Sequence, residues 1–223
     1  MSVRLGAQTA RDRLIAAHAW LWVLLAAGAV CARGLSVRAS DAYGVDRTLL
    51  GLALPFVVPV VCCALFELVH GRARTADVLE PLARHGADRR GLALGTLLVL
   101  ACACALATAL LACAAALSAM SPSAELVREL GAGAWGGALT GAAYAGLLAF
   151  GSLRGRAGRL WLLAGDLIFG SGGGFLAVPW PRGHARHLLG GGAVLDASPA
   201  FSALVLALLA AASLLHSASR GPG

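Results

Sequence analysis

Residues able to do chemistry are few in this chain, and they are confined to a few places. Asp166 and Ser171 stand inside one apolar run, His184 and His187 follow it, and Glu67, Glu80, Arg84 and Asp88 fall in one charged stretch. A carboxylate at mid-membrane depth costs about 2.5–3.5 kcal/mol on insertion scales. Asp166 therefore reads as a proton or cation site, as a polar contact for a substrate, or as the partner of a nearby arginine such as Arg159. Ser171 sits in Gly170-Ser171-Gly172-Gly173-Gly174, a helix break that lines a path or lets the helix flex. As a nucleophile it needs a base within reach, yet the last apolar run offers only His216 at its far end, and Phe169 replaces the first glycine of a Gly-x-Ser-Gly form. His184 and His187 can share a helix face, but two histidines without cysteine or carboxylate are a weak metal signal. A polar connector leading to Gly190-Gly191-Gly192 accounts for them, and no metal site is expected. Cys31, Cys62, Cys63, Cys102, Cys104 and Cys113 lie in or beside apolar runs without ligand spacing, so they read as small packing residues.

The elements that must hold these residues are apolar. Hydrophobic residues make up 59% of the 223 and charged ones 13%, about half the share of a soluble domain. Mean hydropathy is +0.79, so a water-soluble enzyme, a disordered tail and a nucleic-acid binder are poor readings despite a net charge of +7. All 18 basic residues are arginine. Without lysine there is no standard P-loop and no lysine Schiff base. Arginine in place of lysine, with alanine and glycine in excess, indicates a GC-rich bacterial source.

Six stretches approach the ~20 apolar residues that a spanning helix needs: about 15–32, 49–69, 91–119, 132–153, 160–178 and 199–215. The fold expected is an all-α, polytopic bundle of six transmembrane helices forming a single domain over 1–223. Cys31-Ala32-Arg33 is a poor cleavage site, so the first stretch is expected to be a span rather than a signal peptide. Counting arginines in the connectors puts twelve on the side of both termini (Arg4, Arg11, Arg13, Arg72, Arg74, Arg84, Arg89, Arg90, Arg154, Arg156, Arg159, Arg220) and six opposite. Both termini are therefore expected in the cytoplasm.

Within the spans, Pro55 and Pro59 should kink the second, as a hinge or a static bend. Gly133, Gly137 and Gly141, continued by Ala145, form a small-residue stripe that lets another helix approach, from this chain or a second one. The connector over 71–90 is the most informative. Pro81 suits the first position of a short helix, Gly86 its end, and Asp88 the cap of the third span. Val78, Leu79 and Leu82 make that helix apolar on one side, so it docks on something or lies on lipid headgroups.

Six spans, an amphipathic start over 1–14, Glu67 near the end of the second span, Leu79-Glu80-Pro81-Leu82 and then Asp88-Arg89-Arg90 resemble the membrane subunit of type-2 ABC exporters. Pro179, Pro181 and Ser198-Pro199 are similar to that family's broken segment before the sixth span. The chain departs from the pattern at His85-Gly86-Ala87 and in having Ser198 where the family often has asparagine. The resemblance implies a permease in the bacterial cytoplasmic membrane, paired with a second permease subunit as a homo- or heterodimer. It implies a separate ABC ATPase subunit, which binds the ATP, so this chain would hold no cofactor and catalyse nothing itself. Residues 71–90 would be the coupling loop, with Glu67, Leu79, Glu80, Pro81, Leu82, Arg84 and Asp88 at the ATPase contact. Pro55, Pro59, Asp166 and Ser171 would mark a substrate path or hinge. Few ionisable groups within the spans fit a hydrophobic or amphipathic cargo. A non-ABC carrier or assembly protein built around Asp166 is the next reading, and an intramembrane serine protease using Ser171 the third.

Overall fold

The computed structural model describes residues 1–38 and 42–220, except for the side chain of Arg220. These residues form helices and no strand. Five helical segments are long and apolar enough to cross a membrane: Ala19–Ser36, Tyr43–Ala83, Arg89–Ala119, Ala124–Phe169 and Pro199–Ser219. The fold is compatible with a multi-pass membrane protein.

The central helix is α6 (Arg89–Ala119), whose 31 residues span about 46 Å. Asp88 begins it as the capping rule requires, accepting from the backbone N–H groups of Arg90 and Gly91. Helix α1 (Ser2–Ala16) runs parallel to the first turns of α6. Gly6 lies against the Leu92 backbone, and Gly91 and Gly95 lie against Ser2, Val3 and Ala7. Thr96 Oγ1 also donates to the Gly6 carbonyl at 3.2 Å. The amphipathic start is thus packed on α6 through small residues on both helices. His18, in the left-handed region (φ 50°), ends α1 and redirects the chain into α2 (Ala19–Ser36), which also follows α6.

The second apolar segment has three parts: α3 (Tyr43–Thr48), a π-helix (Leu49–Val57) and α4 (Val58–His70). The expected proline bend takes the form of that π-helix. Pro55 lies within it and Pro59 in the first turn of α4.

Helix α7 (Ala124–Gly151) returns antiparallel to α6. Gly133 faces Ala112, Gly137 faces Thr108 and Ala109, and Gly141 faces Thr108 and Cys104. The glycine stripe therefore serves a helix of this same chain. On its other flank Gly146 receives α10 (Pro199–Arg220) at Leu209 and Ala210.

The expected fourth and fifth spans fall within one candidate segment, Ala124–Phe169, which is a hairpin. A turn over Ser152–Arg154 and Gly155, with φ of 69°, reverses α7 into α8 (Gly155–Phe169). Antiparallel pairing follows from Gly151 lying against Arg159 while Tyr144 meets Asp166. At 15 residues α8 is about 22 Å long, short of the ~30 Å hydrocarbon core. The helix expected to reach residue 178 ends at Phe169, because four glycines around Ser171 remove the helix preference. A short turn (Phe175–Ala177) and α9 (Pro181–Leu188) then bring the chain back against α8, α7 and α10.

Helix α5 (Thr75–Ala83) packs against α6 and the Ser152–Arg154 turn. It starts six residues before the expected Pro81, which sits in its last turn. The cause is a local cap, since the Asp77 carboxylate accepts from the Arg74 backbone N–H at 3.2 Å. Gly86, at φ 86°, turns the chain after it as expected.

Candidate functional site

A buried ion pair, Asp166 with Arg182, and a half-buried one, Glu67 with Arg159, flank a groove between α4 and α8. At the α9 end, Asp166 is 0% exposed and Arg182 4%. Asp166 accepts three hydrogen bonds: from Tyr144 Oη–H at 2.7 Å, from Arg182 Nε–H at 3.1 Å and from the Arg182 backbone N–H at 3.1 Å. The backbone N–H belongs to the first turn of α9, which has no partner within its own helix. Asp166 therefore caps α9 from α8 while pairing its arginine. Arg182 Nη2–H donates to the Pro55 carbonyl at 3.0 Å. In a regular helix that carbonyl would accept from residue 59, but Pro59 has no N–H. The guanidinium serves this carbonyl from outside the helix. Glycines permit the close approach, with Gly170 against Arg182 Cβ and Gly165 against the Trp180 ring.

The expected partner of Asp166, Arg159, is engaged elsewhere. Fully buried, it binds Glu67 Oε1 through Nη2 at 2.8 Å and Nε at 3.3 Å, and donates through Nη1 to Ser152 Oγ at 3.2 Å. It also donates to the carbonyl of Gly71, the residue that ends α4 at φ 58°. Arg156 stands 3.9 Å from Glu67, and Arg13 of α1 donates to the Val69 carbonyl. One cluster thus joins α1, the end of α4 and the α7–α8 turn, where the chain leaves for α5. Arg159 misses Asp166 because the two are seven residues apart on a 3.6-residue period, with about 10 Å of rise between them.

Along α5 the predicted contact residues divide. Leu79 is 4% exposed and belongs to this chain's own core, and partly buried Leu82 packs against that core. Pro81, Arg84 and Asp88 are exposed. Half-buried Glu80 bridges Arg84 at 3.2 Å and Arg89 at 2.9 Å.

The groove has a volume of about 420 Å³. Pro55, Pro59, Cys63 and Glu67, spaced four apart, line one wall, and Leu160, Leu163 and Leu167 line the other. Arg182 closes the α9 end and Glu67 stands at the α5 end.

Ser171 is outside this arrangement. It is exposed on the turn after α8, its hydroxyl donates to the Leu167 carbonyl at 2.9 Å, and Arg186 donates to its own carbonyl. His184 is not on a loose polar connector but buried within α9. The Val178 carbonyl, 3.0 Å from Nε2, can only accept, so Nε2 carries the hydrogen and Nδ1 accepts from Ser202 Oγ–H at 3.2 Å. His187 Nδ1 meets the same Ser202 oxygen at 3.0 Å. Burial holds the His184 pKa below the ordinary histidine value, against the opposing pull of the Val178 carbonyl. Among the described residues no group of three or more His, Cys, Asp or Glu could hold a metal ion. His216 packs beside Phe150 near the other end of α10.

Arg182 and Tyr144 are site residues with no place in the sequence reading, while Arg159, expected near Asp166, pairs with Glu67. A signal existed for Arg182: two prolines four apart leave a carbonyl that needs a donor from elsewhere. Comparison with protein-family models, with curated proteins and with solved structures gives no match.

Proposed function

We propose that this chain is the permease subunit of an ABC exporter in a bacterial cytoplasmic membrane, driven by a separate ATPase subunit. The observation that carries this reading is the mounting of α5. Leu79 seats that helix on the bundle, Glu67 and Arg159 tie its root to α8, and Glu80, Pro81 and Arg84 stay on its outer side. A push on the outer side of α5 would therefore reach the α4–α8 groove through a bonded path, as coupling to a partner's movement requires.

In this reading both termini and α5 are cytoplasmic. The six crossings are α2, the Tyr43–His70 segment, α6, α7, α8 with the turn after it, and α10. The arginine distribution supports the orientation, and the lack of lysine supports a borrowed nucleotide site. Two such units would form the transport pathway, which fits a chain whose own groove opens at the side of its bundle. Docking falls to Glu80, Pro81, Arg84 and Asp88, whereas Leu79 and Leu82 hold α5 in place.

Purification of the tagged chain from its native membrane in mild detergent tests this directly. A stoichiometric partner bearing a P-loop is expected. A chain that purifies alone, or only with proteins that bind no nucleotide, would overturn the reading.

A further inference from the structure

We infer that the α4–α8 groove seats a single-chain amphiphile with an oxyanion head, a carboxylate or phosphate, whose head lies at Arg182 and whose tail runs towards Glu67. That this molecule is the cargo rests on the permease reading; that it binds does not.

The groove's polarity is arranged for such a molecule. Between its ends the walls are apolar side chains and one thiol, including Phe56, Pro59, Cys63, Leu163 and Ala164. From Pro55 to Glu67 the helical rise is about 18 Å, the length of an extended alkyl tail. A volume of about 420 Å³ lies near the lower end of the range for small-molecule sites, room for one chain rather than two.

Arg182 supplies the head contact. Its Nε goes to Asp166 and its Nη2 to Pro55, while Nη1 has no hydrogen-bond partner among the described residues. A guanidinium carries five N–H donors, so this fork still has hydrogens to give at the mouth of an apolar slot. Asp166 is already engaged by three donors, the Tyr144 hydroxyl and the backbone N–H and Nε–H of Arg182, and none of these is Nη1. An ionised oxygen makes the shorter and stronger bond to such a donor. At the other end Glu67 is matched by Arg159 and approached by Arg156, so no unbalanced negative charge repels an anion.

Cys63 lines the groove and can report on it. The full chain, with the other five cysteines changed to alanine, is placed in phosphatidylcholine nanodiscs. Its reaction with a small membrane-permeant thiol reagent is then timed with dodecanoate, dodecyl phosphate, dodecanol or dodecyltrimethylammonium present. Dodecanoate and dodecyl phosphate are expected to slow labelling of Cys63, and the other two to leave it unchanged at equal mole fraction. Arg182→Gln should raise the half-protecting concentration about tenfold or more. Ala164→Phe fills the slot without touching a charge, and should remove the dependence on amphiphile in a chain that stays folded. Equal protection by dodecanol or by the cation would overturn the oxyanion head. Amphiphile protection that survives Ala164→Phe would overturn the location. No protection by any probe would overturn the site, and slow labelling relieved only by stripping phosphatidylcholine would assign the groove to bilayer lipid instead. None of these outcomes depends on the ATPase partner, so failure here and failure of the permease reading are separable.

Discussion

Arg182 donates to the carbonyl of Pro55 at 3.0 Å, an acceptor that Pro59, four residues on, has no N–H to serve. The contact fastens α9 to the π-helix across 127 residues of sequence, and Asp166 fixes the same guanidinium to α8. Removing one member of a buried pair leaves the other charge unmatched, at a cost of about 3–5 kcal/mol. Asp166→Asn and Arg182→Met should each lower thermal stability in detergent strongly, and the double substitution should cost less than the sum. Additive losses would show that the two side chains are not coupled.

Glu80 behaves differently because it is partly in water. Its bridges to Arg84 and Arg89 are surface pairs, each worth about 0–1 kcal/mol. Glu80→Ala with Arg84→Ala should leave insertion and melting temperature nearly unchanged; if the chain is the permease proposed above, the same variant should uncouple the partner's ATP hydrolysis from transport. Full transport by this variant would remove these two side chains from the docking surface.

Glycine substitutions should separate by what faces them. A Cβ at Gly141 would enter Thr108 Oγ1 and the Cys104 backbone, whereas one at Gly131 or Gly28 meets open space. Gly141→Ala is expected to cost about 1–3 kcal/mol, as overpacking does. Gly131→Ala and Gly28→Ala should cost nothing measurable. Comparing the thermal melts of the three variants checks the α6–α7 crossing.

The α9–α10 junction should contribute to the pH dependence of stability. His184 faces the Val178 carbonyl, the Ser202 hydroxyl, the Phe201 ring and, along its own helix, His187. Its folded pKa lies below the unfolded value of 6.5. Above 6.5 the neutral ring is favoured in both states and the contribution to stability is fully present. As pH falls below that value the unfolded chain takes up a proton that the folded one resists, so stability declines. Melting temperature should drop between pH 8 and pH 5, and His184→Gln should make that slope shallower. A slope unchanged in the variant would place the titration elsewhere.

Helix existence in the apolar stretches, the Asp88 cap and the use of the glycine stripe for close packing were all legible from residue order. Each depends on neighbours within one or two turns, or on a composition compatible with a bilayer. The extent of α5 was misread because Pro81 is compatible with a first turn and also with a last one. Asp77 accepting from the Arg74 N–H chose between them. Likewise the apolar run through 178 reads as one span, yet the glycines around Ser171 stop α8 at Phe169.

By itself, then, the sequence determined an all-helical chain with helices apolar enough to cross a membrane, and the places where those helices can touch. Only the tertiary structure decided the partners of its buried charges. Asp166 meets Arg182 because the chain folds back after α8, and Arg159 meets Glu67 across 92 residues. Hydropathy and capping act over a few residues and can be read along the chain. A buried charge takes whichever opposite charge the packed helices bring within about 3 Å, and that is set by the whole fold.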